Sequence, residues 1–400
     1  MSRFSRLVQR VFLVVASMCV SLVVLEVGFR LARWHQLTPP RSDDDPVYHH
    51  RLDPQWRYAQ HSPDFDTVAT TNSLALRGPR EYGPKPPGVR RVLMLGDSFV
   101  FGVGVNDADT FCARLQRALD QRGARVEIIN AGVGSYSPLL HYLALRDRYL
   151  PLEPDAVVLW FDFGDLQNDF FYERNVRSGP HGELAACDPN YTDGRFDWGR
   201  YLREHSALAK YINNKLIRTI QKAQILGWRR YLLIALRGGS AKGAIANLKG
   251  RERQHTDPLH YDQLLMIRDR AYLPEIERHW QRTGRYLLMI HDLLQARGIP
   301  LVLAAYPYGV QVGPDQWAKG RTAFGFETGV TYDDPFPFDF LADFAKAHDL
   351  PFINVAPAFS AARQEPLFYD WDGHFTPAGH RIVAEALQRD PAFLRALTGR

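Results

Sequence analysis

The sequence predicts an α/β fold, a three-layer α/β/α arrangement around a doubly wound parallel five-stranded sheet. Three observations carry this expectation. Five short apolar runs recur at 92–96, 126–130, 156–163, 300–306 and 351–355, and each is nearly continuous, as suits a strand covered on both faces. Helical stretches separate the runs, at 110–122, 138–149, 274–298 and 338–348, and strand-helix alternation is the pattern of a parallel sheet. The first run closes on Gly96-Asp97-Ser98, small and turn-forming residues where a strand must release the chain above the carboxyl edge.

Taken in chain order, the first element is an apolar stretch at 11–25 preceded by Arg3, Arg6 and Arg10. Extended to about residue 31, it has the roughly twenty residues a bilayer requires, and no small-residue cleavage site follows it. Residues 1–35 are therefore expected to form an uncleaved signal anchor, a single transmembrane helix with its arginine-rich end in the cytoplasm. The remainder would lie on the outer, periplasmic side of a bacterial inner membrane. Residues 36–90, rich in Pro, Arg and Asp, read as a stalk wrapping onto the main domain at 91–400. The interval between the third and fourth strands far exceeds a simple crossover, so residues 171–272 are expected to be a helical insertion. Within it, residues 210–253 carry eleven Lys and Arg, among them Arg229, Arg230 and Arg237, against the single acid Glu252. That basic amphipathic segment reads either as a solvated cap over the site or as an element lying on an anionic membrane surface.

Composition bounds the chemistry. With 400 residues, 46% hydrophobic and 12% aromatic, the chain can bury one large core plus an insertion. Cys19 falls in the apolar stretch, which leaves Cys112 and Cys187 as the one pair able to bridge. No CxxC, HExxH, Walker or GxGxxG motif is present, so neither a metal nor a nucleotide cofactor is expected. Nucleic acid is not an expected partner, because the basic segment would lie outside the cytoplasm.

The residues that carry chemistry are Ser98 at the end of the first strand and Asp372-Gly373-His374 near the C-terminus. A serine hydroxyl is a poor nucleophile at neutral pH. It needs an imidazole to take its proton and a carboxylate to orient that imidazole. Asp and Ser at a turn are ordinary capping residues, and the distant acid and histidine are what give this serine a second meaning. Thr376-Pro377 supplies the last helix with its own cap and first-turn proline, leaving Asp372 available. His380, inside that helix, is a competing imidazole and reads as a packing or surface residue.

On these residues the sequence resembles the SGNH/GDSL hydrolase family over residues 90–170 and 285–390. Gly96-Asp97-Ser98-Phe99 resembles the family's first block and Asn130-Ala131-Gly132-Val133-Gly134-Ser135 its second. Gly164-Asp165-Leu166-Gln167-Asn168-Asp169 is similar to the third, with Leu166 where the family has glycine. The resemblance implies an oxyanion hole made of the Ser98 and Gly132 backbone N–H groups and the Asn168 side chain. The family's usual acid position, three before the histidine, is held by Trp371. Asp372 lies two before and Asp370 four before, and the Asp-x-His spacing of membrane-anchored, polysaccharide-modifying relatives favours Asp372. The resemblance further implies a flavodoxin-like SGNH fold and a serine esterase without cofactor, acting on acyl, chiefly O-acetyl, esters of small molecules or glycans; with the expected anchor this places the reaction at the outer face of the cytoplasmic membrane. Two alternatives stay open: an O-acetyltransferase of an envelope polysaccharide using the same residues, and a non-catalytic envelope scaffold.

Overall fold

The computed structural model describes residues 3–33, 41–189, 206, 228–238 and 262–399. The chain divides into two compact units, one of residues 39–191 and 240–400, the other of residues 1–38 and 192–239.

In the larger unit, residues 41–70 form two antiparallel hairpins. β1 (Arg41–Asp45) pairs with β2 (His49–Leu52), and β3 (Arg57–His61) with β4 (Asp66–Thr70). The central sheet follows: β5 (Arg90–Gly96), β6 (Val126–Gly132), β7 (Ala156–Phe161), and later β10 (Leu301–Ala305) and β11 (Phe352–Asn354). A third hairpin, β8 (Val176–Ser178) with β9 (Leu184–Cys187), lies between β7 and β10. The five central strands are parallel in the order β11-β10-β7-β5-β6. Numbered along the chain this is 2-1-3-4-5, the order in which connections leave β5 toward opposite edges. A crevice therefore opens between the carboxyl ends of β5 and β7.

All six residues of β7 and all five of β10 are buried, which is why these strands read as unbroken apolar runs and not as alternating ones. The helices are α1 (Arg3–Arg33) in the smaller unit, then α2 (Ser98–Phe101), α3 (Phe111–Gln121), α4 (Pro138–Ala144) and α5 (Asp165–Tyr172). α6 (Trp228–Leu236) also belongs to the smaller unit, and α7 (Leu273–Gln295), α8 (Phe336–Ala347), α9 (Ala356–Ala361), α10 (Pro377–Leu387) and α11 (Pro391–Thr398) lie in the larger one, with single helical turns at Leu265–Arg268 and Gly309–Val312 besides. Thr110 caps α3 by accepting the Ala113 N–H at 3.2 Å. After Ala144, α4 widens into a π-helical turn at Leu145–Tyr149. Right-handed crossovers put α3 and α10 on one face of the sheet and α4, α7 and α8 on the other.

Residues 41–70, within the segment expected to wrap onto the main domain, form two β-hairpins that belong to the larger unit. The described start of the insertion is the β8-β9 hairpin and not a helix, because Gly179 and Gly182 close a tight loop between strands while Leu184, Ala186 and Cys187 are buried. Of the basic segment only residues 228–238 are described, with α6 its one helix there; the rest lies outside the described residues. Among the described residues no helix is long and apolar enough to cross a membrane; α1 runs for 31 residues, with several side chains outside the described set. Cys112 and Cys187 are both buried free thiols.

The edge of the sheet opposite the crevice is tied by Arg91. Its Nε meets Glu127 at 2.7 Å, and its two terminal nitrogens donate to the carbonyls of Leu152 at 2.9 Å and Gly83 at 2.8 Å. Replacing Arg91 by Met keeps most of the volume and strands all three acceptors, so urea unfolding should show a loss of about 3 kcal/mol.

Candidate active site

β5 ends at Gly96, and the chain turns at once into α2. Asp97 caps that helix, accepting the Phe99 N–H at 2.9 Å, and this sets Ser98 at the helix start above the carboxyl edge. Being first in the helix, the Ser98 N–H has no intrahelical acceptor. From the other end of the chain, the loop before α10 brings His374 to it, with Nε2 2.7 Å from Ser98 Oγ. His374 Nδ1 bonds Asp372 Oδ1, which fixes the imidazole so that Nε2 is the acceptor facing the serine hydroxyl. Asp370 is elsewhere: its side chain pairs with Lys319 Nζ at 3.1 Å, and its carbonyl accepts the Gly320 N–H. His380 is buried in α10, where Nδ1 accepts the Phe111 N–H at 3.2 Å and burial pushes its pKa down to about 3.

A cleft of about 220 Å³ opens above these residues, lined by Ser98, Ser135, Asn168, Gln263, Tyr308, Trp317, Phe324 and Asp372–His374 among others. Asn168, in the first turn of α5, faces it, with Nδ2 donating to the Ser135 carbonyl at 3.4 Å. The neighbouring Asp169 points away and caps α4, accepting Ser137 Oγ at 2.5 Å and the Leu139 N–H at 3.2 Å.

Gly132 is not brought to the cleft. Its N–H donates to Asn130 Oδ1 at 3.0 Å, and a Cβ there would lie 2.2 Å from the Phe101 nitrogen. Its glycine is needed for the close approach of α2 to β6. The backbone that does line the cleft from this loop is Ser135, held at φ +65°, a conformation uncommon outside glycine. Tyr172 Oη donates to the Ser135 carbonyl at 2.9 Å, and His50 Nε2 donates to the Gly134 carbonyl at 2.9 Å. No acceptor for the Ser135 N–H is found among the described residues.

Two further features carry no local sequence signal. Asp64, from the turn between β3 and β4, accepts the N–H groups of both Trp371 and Asp372 at 2.8 Å, so the N-terminal hairpin holds the acid-bearing loop. Behind the serine, Tyr306 Oη lies 2.9 Å from Asp97 and 2.7 Å from Asp162, while Tyr308 Oη contacts both Asp162 oxygens at 2.7 and 2.9 Å. One phenol proton cannot serve two carboxylates, so the Asp97-Tyr306-Asp162 chain requires a shared carboxyl proton. Burial, then the Asp162 charge, pushes Asp97 up to about 7, and burial raises Asp162 as well.

Comparison with known proteins finds a family resemblance over the C-terminal part of the chain. Residues 263–395 match the family described as the SGNH hydrolase-like domain of the acetyltransferase AlgX, a stretch that takes in Asp372 and His374 and leaves out Ser98. Similar solved structures include an acetyl xylan esterase (14% identity, covering 74% of this chain and 98% of that one, TM-score 0.36). Another is TesA (12% identity, 77% and 99%, TM-score 0.36). A third is a catalytic mutant of an acetylxylan esterase from Geobacillus stearothermophilus (12% identity, 78% and 96%, TM-score 0.35). No protein with a curated description matches the chain significantly. Over residues 263–395 the chain is thus similar to an SGNH hydrolase-like domain.

Burial by itself would lower the His374 pKa. The hydrogen bond and charge of Asp372, then the charges of Asp97 and Asp162, more than offset it, and the imidazole lies above its ordinary 6.5. A base must be unprotonated to act, so kcat/KM for p-nitrophenyl acetate should rise with pH through a midpoint above 6.5. Asp372→Asn should move that midpoint down, since the neutral amide no longer stabilises the imidazolium.

Proposed function

We propose that the protein is a serine acyl-transfer enzyme that attacks O-acyl, chiefly O-acetyl, esters. The observation that carries this reading is the unbroken line Ser98 Oγ, His374 Nε2, His374 Nδ1, Asp372 Oδ1 at the floor of an open cleft. In the proposed reaction His374 takes the Ser98 proton as Oγ adds to the ester carbonyl, while Asp372 holds the imidazole and stabilises its protonated form. The oxyanion would be met by the N–H groups of Ser98 and Ser135 and by Asn168 Nδ2, the polar donors that converge on the cleft. His374 then returns the proton to the departing alcohol. Water resolves the acyl-serine in an esterase, and a sugar hydroxyl resolves it in an O-acetyltransferase. The match to a domain described by an acetyltransferase keeps that second acceptor in view. The cleft's modest volume favours a short acyl group.

The proposed setting is the outer face of a membrane, with α1 as anchor. Supporting this, Phe12, Leu13, Met18, Leu22 and Leu25 of α1 are all exposed, a run of apolar surface that water does not favour, and three arginines precede it in the sequence.

With the full chain in detergent, a fluorophosphonate probe should label Ser98, and Ser98→Ala should abolish labelling and lower kcat/KM for p-nitrophenyl acetate by about 10³-fold or more. Labelling that survives the substitution would remove Ser98 as nucleophile. Asp372→Asn should cost about 10²-fold or more in kcat, whereas Asp370→Asn should stay within about threefold; the reverse ranking would assign the wrong carboxylate.

A further inference from the structure

Trp371 stands three residues before His374, and the acyl-transfer chemistry gives it no task. Its backbone is held from several directions. The N–H donates to Asp64 Oδ2 at 2.8 Å, the carbonyl meets Trp317 Nε1 at 3.4 Å, and Gly320 approaches that carbonyl so closely that a Cβ there would lie 2.0 Å from it. Gly320 is itself fixed by donating to the Asp370 carbonyl at 2.7 Å. The side chain is the opposite: the indole is 54% exposed, while Trp317 beside it is 2% exposed. A loop this firmly set presents its largest apolar ring to water, where large aromatic side chains seldom stand. The ring belongs to the residue next to Asp372, and Asp372, Gly373 and His374 form one wall of the cleft. Lys319 Nζ, paired with Asp370, lies over one face of the indole at 5.7 Å from its centroid, which leaves the other face for a ligand.

The size of the cleft says what such a ring could meet. A space of about 220 Å³ accommodates an acyl group and at most the sugar ring that carries it, so the rest of an oligomeric substrate must lie on the surface around the mouth. An indole face carries the negative side of its quadrupole. The complementary ligand surface is flat, carries polarised C–H groups, and is rimmed by oxygens within reach of an ammonium group. A pyranose ring has all three properties.

We propose that Trp371 is a stacking platform for a sugar ring of an acylated glycan, holding the chain outside the cleft while its ester reaches Ser98, with Lys319 donating to the glycan's oxygens. This rests on the acyl-transfer reading and narrows its substrate from esters in general to acylated oligosaccharides.

The test is a binding measurement that needs no turnover. The full chain carrying Ser98→Ala is titrated calorimetrically in detergent with an acetylated xylo-oligosaccharide and, separately, an acetylated galacturonan oligosaccharide. At least one should bind, Trp371→Ala should weaken that binding by about tenfold, and Trp371→Phe, which restores a ring face, should recover most of it. Absence of binding by both probes, equal binding by Trp371→Ala, or failure of Trp371→Phe to recover affinity beyond the alanine variant would each overturn the platform. Fluorophosphonate labelling of the Ser98 parent reports separately on the acyl-transfer reading, so the two ideas fail independently.

Discussion

The 2.7 Å contact between Ser98 Oγ and His374 Nε2 spans 276 residues of sequence, and the rest of the site is arranged around keeping it. One half is fixed by the sheet: β5 and the Asp97 cap of α2 set the serine at the point where strand connections diverge. The other half is a loop closed by a single antiparallel bridge between Phe368 and Phe375, and it takes further support from outside. Tyr369 N–H donates to the His374 carbonyl at 2.9 Å, Tyr369 Oη donates to the Gly104 carbonyl at 2.7 Å, and Asp64 takes the Trp371 and Asp372 N–H groups. A carboxylate accepting two backbone N–H groups gives such a loop a definite position. The N-terminal hairpins thus act as part of the site's scaffold, both through Asp64 and through His50 beneath the Gly134-Ser135 turn.

Electrostatics follow from the same geometry. Asp97 and Asp162 are buried close behind the serine, and two full charges there would repel each other in a medium that screens poorly. The tyrosines at the end of β10 relieve part of that repulsion by hydrogen bonding, and a shared proton relieves more. The remaining negative charge favours a protonated His374, the state the imidazole adopts when it has taken the serine proton. The carboxylates therefore act in the same direction as Asp372, from beneath the ring.

Much of the architecture was legible because it is written in local pattern. The five strands announce themselves as apolar runs since both faces of each are covered, and the α3 boundary follows from the Thr110 cap. Ser98, Asp372 and His374 were visible as motif residues, and spacing alone left Asp370 open; in the fold it is Asp372 that meets His374, while Asp370 meets Lys319. Gly132 misled because glycine is the expected residue wherever a backbone must approach closely. Here that approach is to α2, while the turn facing the cleft places a serine at positive φ, which the sequence does not flag. Asp64, His50, Tyr306 and Tyr308 were hidden for a different reason: each acts across a long sequence separation, and nothing in its neighbours marks it. The β8-β9 hairpin was masked by the expectation of a helical insertion, although Gly179-Pro180-His181-Gly182 is a turn signal in its own right.

The proposed chemistry requires that an acyl group pass through Ser98. Mixing the full chain with p-nitrophenyl acetate, quenching in acid within the first turnovers, and mapping the digested protein by mass spectrometry asks this directly. One acetyl group on the peptide containing Ser98, decaying when the quench is delayed beyond substrate exhaustion, is the result predicted here. Release of nitrophenol with no acetyl on that peptide, or with a stable acetyl on another side chain, would contradict it.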